Sequence, residues 1–387
     1  MKEIELPFRE IQNENFVIKI YEYGKEKNNS KVEFYLQNIN SKDTFFYCVD
    51  IFLFILYPNN FLKKYLQKLI INEVQKYKDI AKTQGKRFIF LIDAIEEAPS
   101  YQDDLAWFFD KLYQKNIILK EEILIISGAH YQTDSINHVW AADVSIIKDF
   151  SHIEIEKDVS NLPDYHFISL ARLPRPHRIT ATIEILERHL NKFGNCSLGS
   201  GHYFDKEESD NLLAEYCPEK YKNIFPLYID GEVLGNQQYD ISHPYIKNAF
   251  VNVVMESSFE KFSYQNKRFW HLPFMTEKTM KTFMLGQVPI FITCSKSLEK
   301  IRDLGFDLFD DIIDHSYDLE TDLDLKIKKA IDQLEKICAW SIEDCRKFKQ
   351  NNMNRFEKNF QNYVYIKNNY KQMTLDNLQK TLDTYSR

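Results

Sequence analysis

Across 387 residues the chain has only 10 Gly and 11 Pro. Few positions are free to turn sharply, which favours long regular elements over a loop-rich or disordered chain. Its six cysteines (Cys48, Cys196, Cys217, Cys294, Cys338, Cys345) are scattered with no CxxC pair. That spacing excludes a recognisable zinc site or disulfide framework and reads as free thiols in a reducing compartment. Positive charge is also lacking: the net charge is −7, so any attraction to nucleic acid or an anionic membrane has to be local. No apolar run is long enough to span a bilayer, which takes about 20 residues. The most apolar one, residues 45–57, contains Asp50 and stops at Pro58. Glu3 and Glu5 stand where a signal peptide needs a basic region and then an apolar one. These features point to the cytoplasm.

What is present is a globular composition, 44% hydrophobic and 28% charged, with 29 Phe and 23 Tyr. The length exceeds one ordinary core, so two domains are expected. Residues 16–23 and 32–36 alternate apolar and polar, as strands do. Residues 61–81 have helical spacing and Gly85 follows as a stop. Residues 87–93 form a buried strand ending in Asp93, 103–113 a helix, and 122–127 another strand. Strand, helix and strand in that order make an α/β domain over residues 1–150. A second series runs through 165–335: a strand at 166–170, a helix at 179–190, a strand near 195–201, irregular structure over 205–239, a strand from Phe250 to Glu256, and a helix at 297–304 closed by Gly305. Helices over 323–346 and 359–384 make residues 336–387 a helical tail.

Two constellations carry chemistry. Thr276 suits a helix cap with Glu277 in the first turn and Lys278 and Lys281 close by. A helix amino terminus with a lysine receives phosphates, and a neighbouring carboxylate accepts sugar hydroxyls. Arg172, Arg175, His177 and Arg178 crowd the turn between a strand and a helix, stiffened by Pro174 and Pro176. Three arginines there call for an anion or compensating acids, and guanidinium forks match phosphate oxygens. Glu256 ends the strand that leads to the Thr276 segment. It either contacts the sugar or nucleotide or pairs with Lys278 or Arg178.

The order Arg-x-Pro-Arg-x-His-Arg, apolar strand to Glu, Thr-Glu-Lys-Thr-x-Lys, Gly-x-x-Pro, Gly-Phe and Ser-Tyr-Asp resembles a group of phage, viral and bacterial glycosyltransferase-like proteins over residues 165–320. Its Thr-Glu-Lys motif is similar to that of alpha-1,3-fucosyltransferases and, more loosely, of exostosin-like enzymes. The resemblance implies a GT-B-like α/β fold with two Rossmann-like domains facing a cleft. It implies a GDP- or UDP-type nucleotide sugar as donor, no tightly bound cofactor and no obligatory metal, in the cytoplasm of a bacterium or of a phage- or virus-infected host cell. Carried over by motif, Glu277 holds the ribose, Lys278 the diphosphate, and an arginine of the Arg172 to Arg178 loop the phosphates. The aromatic-rich surroundings usual in fucosyltransferases are absent, with Met280 and Met284 flanking the motif.

No Asp-x-Asp suited to a nucleotide-bound metal follows a strand, since Asp322-Leu323-Asp324 falls at a helix start. Helix dipole, Lys and Arg are then expected to stabilise the leaving diphosphate. The acceptor, a glycan or other hydroxyl compound, needs a base. Asp93, Glu96, Glu97 and His130, all at strand ends of the first domain, are the candidates. Residues 346–371 hold seven basic residues against one acid, interleaved with aromatics. The pattern fits either a packed amphipathic helix or a strip tracking DNA. The second option makes a hydroxymethylated DNA base the acceptor, and a further rival is a nucleotide-binding scaffold without catalysis.

Overall fold

A computed structural model describes residues 8–21, 31–39, 42–50, 60–94, 112–128, 137–141, 159–199, 206–227, 229, 244–257, 259, 263–264, 267–268 and 275–385. The chain divides into two compact units: Met1–Val144 with Phe262–Trp270 and Asn369–Arg387, and Ser145–Lys261 with His271–Asn368.

The first unit is built on six strands, β1 (Phe8–Gln12), β2 (Phe16–Tyr21), β3 (Thr44–Asp50), β4 (Arg87–Ala94), β5 (Ile123–Ser127) and β6 (Asn137–Trp140), lying side by side in chain order. Only the β1–β2 pair is antiparallel. Alternate residues of each strand feed two cores. Tyr47, Phe90 and Ile125 pack on one face with Val74 and Tyr77 of helix α2 (Asn60–Thr83), while Phe46, Leu91 and Leu124 pack on the other. That second core includes Val32, Tyr35 and Leu36, expected as a strand but placed on helix α1 (Lys31–Asn38). Their three- and four-residue spacing puts all three on one helical face. Of the helix expected over 103–113, all but its end lies outside the described residues.

The second unit opens with β7 (Tyr165–Ala171), helix α3 (Pro176–Glu187), β8 (Gly194–Leu198) and helix α4 (Lys206–Tyr216). It continues with β9 (Ala249–Met255), helix α5 (Glu277–Met284), β10 (Val288–Ile292) and helix α6 (Ser297–Asp303). The sheet is wholly parallel in the order β10-β9-β7-β8. Both α/β units therefore rest on parallel strands, as expected from the alternation of elements. β9 and β10 are buried almost throughout, which is why they read as continuous apolar runs and not as alternating ones. The outer edge of β10 is met by a side chain: the Phe291 N–H donates to Tyr317 Oη at 3.1 Å. Asp318 Oδ2 accepts from the Leu298 N–H in the first turn of α6 at 3.4 Å, so the Ser-Tyr-Asp motif secures local structure. Gly305 ends α6 at φ +88°, a conformation that disfavours any residue with a Cβ.

Two expectations fail here. Residues 205–239 were expected to be irregular, yet α4 occupies their start and buries Leu212. The tail helix expected over 323–346 is two helices, α7 (Leu323–Cys338) and α8 (Ile342–Asn351). Ser341 interrupts them by capping α8: its hydroxyl accepts from the Asp344 N–H, and Asp344 accepts from the Ser341 N–H. This reciprocal box supplies an internal helix start. The final helix, α9 (Met353–Tyr385), belongs to the second unit up to Asn368 and to the first unit beyond it. There Leu378 and Leu382 are buried in the second of the first unit's cores. Leu378→Ala is expected to cost about 2–5 kcal/mol through lost burial and the cavity left behind. Urea unfolding followed by circular dichroism reads this as a lower midpoint at an unchanged slope.

Candidate functional site

The strand order of the second unit creates a topological switch point. From β7 the chain moves to β8 on one side, then returns to place β9 on the other. β7 and β9 therefore flank a topological switch point, and in open parallel sheets ligands gather outside the carboxyl ends of such strands. Arg172 to Arg175 follow β7, and Glu256 and Ser257 follow β9. The two stretches that the sequence singles out thus leave neighbouring strands at the same edge of the sheet.

Glu256 is 1% exposed, and both its carboxylate oxygens are in use. Oε1 accepts from the Thr276 N–H (3.0 Å) and the Thr279 hydroxyl (2.6 Å), while Oε2 accepts from the Thr276 hydroxyl (2.7 Å) and the Ser257 N–H (3.0 Å). The strand-end acid therefore caps helix α5 and has no oxygen left for a ligand. Its carboxylate serves the helix start, where a negative charge is favoured. Its carbonyl works in the other direction, accepting from Arg178 Nη2 at 3.1 Å and facing His177 Nε2 at 3.0 Å. Ser257 O accepts from Arg175 Nη1. Two consecutive residues after β9 thus bind the starts of both α3 and α5.

The arginines divide into two kinds. Arg178 is 3% exposed, with its hydrogen bonds going to the carbonyls of Glu256 and Leu173. Burial, with the charge of Arg175 added, pulls this guanidinium down to about 9, against the attraction of Glu256 and Glu277. Arg172 and Arg175 are half-buried at the turn. Gly199 is required beside them, because a Cβ there would lie 2.4 Å from the Arg172 carbonyl oxygen. Arg175 occupies the cap position of α3 in extended backbone, and Pro176 supplies the first turn, where its missing N–H costs nothing.

On the α5 side Thr276 is the cap, accepting from the Lys278 N–H at 3.3 Å. Lys278 Nζ donates to Glu277 at 2.7 Å and to the Thr276 hydroxyl at 3.2 Å. Lys281 is half-buried one turn on. Burial pushes the Glu277 carboxyl up, but the charge and hydrogen bond of Lys278, with Lys281 behind them, hold it below the usual glutamate range. The site thus carries a fixed carboxylate, a lysine and a helix terminus together.

Sequence reasoning missed several participants. Thr279 and Ser257 are small polar residues whose role appears only once Glu256 folds against them. Phe259 stacks on His177 with ring centroids 4.7 Å apart. Lys326, 1% exposed on α7, donates to Ser295 Oγ at 3.0 Å and to the Asp318 carbonyl at 3.2 Å. In the first unit Asp93 is half-buried near the end of β4, whereas Glu96, Glu97 and His130 lie outside the described residues. An unforeseen pair sits at the same sheet edge, Ser127 Oγ and His138 Nε2 at 2.8 Å.

The basic tail resolves into packing. Arg355 is paired with Asp307 and Asp311, and Arg346 with Asp164. Lys349, Phe356, Phe360 and Tyr363 are buried. These residues are committed to the fold, as in the packed-helix option, while Lys347, Lys358 and Lys371 are exposed, and nothing in the structure supports the DNA-tracking option. Asp322 caps α7 through the Leu325 N–H at 2.9 Å. No group of three or more His, Cys, Asp or Glu placed to hold a metal occurs among the described residues, and no described helix is long and apolar enough to cross a membrane.

Two outcomes check this site. Glu256→Ala leaves three buried donors and one part-buried donor without their acceptor and is expected to destabilise by about 3 kcal/mol or more, measured by urea unfolding. For Glu277 the sign follows from linkage: a carboxyl depressed in the folded state contributes stability above its unfolded pKa and loses it as pH falls through the folded value. Lys278→Met removes the main depressing charge. Its Glu277 pKa, read by NMR titration, should therefore rise, and its stability deficit at about pH 7 should shrink towards about pH 3.

In comparison with known proteins, the sequence matches no protein family and no curated protein. Among solved structures the chain is similar to one from E. coli described as trehalose-6-phosphate bound with UDP-2-fluoro glucose, and to a trehalose-6-phosphate synthase. Both show 10% identity and a TM-score of 0.40 over 97% of this chain, covering 89% and 88% of those chains. A likeness at that level assigns no activity.

Proposed function

We propose that the chain is a glycosyltransferase that takes a sugar from a nucleoside-diphosphate donor, of GDP or UDP type, and passes it to a hydroxyl acceptor. The observation that carries this reading is the two-residue tie at the end of β9. Glu256 and Ser257 hold the arginine-bearing start of α3 and the lysine-bearing start of α5 over the switch point where α/β sheets bind nucleotides. Lys278 and the α5 terminus receive the diphosphate, with Arg172 and Arg175 completing the anion site from the β7 side. Arg178 adds positive potential from beneath, and Glu277 accepts the ribose hydroxyls.

The chemistry follows from charge. The acceptor oxygen attacks the anomeric carbon as the bond from that carbon to the diphosphate oxygen breaks. Negative charge grows on the leaving diphosphate, and fixed donors already aimed at it stabilise it without reorganisation. No metal is required by this scheme. The acceptor proton passes to a general base.

A thermal-shift screen against GDP-fucose, GDP-mannose, UDP-glucose, ADP-glucose and a CMP-sugar tests the reading, since a ligand that binds the native state raises its melting temperature. A GDP- or UDP-sugar is expected to stand out. Lys278→Ala should weaken its binding roughly tenfold to a hundredfold, the range for a lost charge-assisted hydrogen bond. Sugar transfer or donor hydrolysis by the wild type, lost in Glu277→Ala and Lys278→Ala, separates an enzyme from a nucleotide-binding scaffold. Stabilisation by none of these donors overturns the proposal.

A further inference from the structure

One polar atom in the site has no use in the scheme above. His177 is 2% exposed in the first turn of α3. Its Nε2 faces the Glu256 carbonyl oxygen, which only accepts, so Nε2 carries the proton. Burial, then the charges of Arg178 and Arg175, push the imidazole well below its usual pKa against the pull of that carbonyl, so the ring is neutral. Its Nδ1 is then a bare acceptor, buried and without a hydrogen-bond partner. Phe259 stacks on the ring with an interplanar angle of 18°, and the Nε2 contact with the Glu256 carbonyl sets which nitrogen is left over.

A buried acceptor left unmet is costly and is normally satisfied. A phosphate oxygen is itself an acceptor and cannot satisfy it, and a cation would sit between Arg175 and Arg178. The complementary group is a neutral hydroxyl, approaching in the plane of the ring so that the Phe259 stack on its face is untouched. Ribose hydroxyls already have Glu277 on the opposite side of the site.

We propose that His177 reads the donor's sugar, with its Nδ1 accepting a hydrogen bond from one sugar hydroxyl. This rests on the donor-site reading above. Nδ1 is closed to solvent in the unliganded chain, so the proposed contact requires local opening as the sugar enters.

The test is calorimetric titration of wild type and His177→Gln with the nucleotide sugar selected from the screen and with its parent nucleoside diphosphate. A glutamine amide reaches the position of Nε2 and keeps the donation to Glu256 O, but has no acceptor where Nδ1 stood. His177→Gln is expected to bind the nucleoside diphosphate like wild type and the nucleotide sugar roughly tenfold more weakly, the scale of one neutral hydrogen bond. Equal loss for both ligands reduces His177 to a support for Glu256, and no loss for either removes it from the site; both results overturn the proposal.

Deoxy analogues of the same donor give a readout on unmodified protein in case the variant folds poorly. Wild type should lose roughly tenfold for one hydroxyl position, and in His177→Gln that difference should vanish. Equal binding of every analogue by wild type also overturns the assignment. If wild type binds no nucleotide at all, the donor-site reading itself is what has failed.

Discussion

The second unit depends on one buried carboxylate. Glu256 lies where β9 ends, and four hydrogen bonds fix it to the start of α5 and to the next residue of its own loop. Its carbonyl accepts from Arg178 and lies against His177 of α3. A single residue thereby couples the first turns of two helices that follow different strands. The energetics explain why it tolerates burial. Each of its carboxylate oxygens meets hydrogen-bond donors, which offset the cost of taking it out of water.

This arrangement separates buried charges from partly accessible ones. Arg178 is buried with carbonyls for partners and contributes potential, while Arg175, Arg172 and Lys278 remain partly accessible. Arginine suits the buried role because its charge is spread over a planar group and holds several acceptors at once. The Lys278–Glu277 pair is different: at 2.7 Å and partly accessible, it holds the Glu277 carboxyl below the usual glutamate range against the effect of burial.

Much of this was legible in the chain. The runs of β7, β9 and β10 are apolar because both faces of a parallel strand are covered, and each ends in a polar or charged turn. The caps Thr276 and Gly305 are local signals and work as read. Residues 32–36 show where local reading fails: alternation and helical spacing coincide over five residues, and only burial against β2 and β3 decides for the helix. The split at Ser341 was missed for a related reason, because a capping box inside an amphipathic pattern does not interrupt its period.

What the sequence alone determined is the alternation of most strands and helices, the parallel character of the second unit's sheet and the residue types at the strand ends, since these follow from periodicity, capping and turn chemistry within a few residues of each position. What only the tertiary structure decided is the use of each charge. Glu256 became a helix cap, Arg178 a buried source of potential, Arg346 and Arg355 partners of acids, and Leu378 and Leu382 core residues of a unit that begins far upstream. Each of those outcomes depends on groups tens to hundreds of residues away, and no local pattern encodes which distant partner a charge or an apolar face will meet.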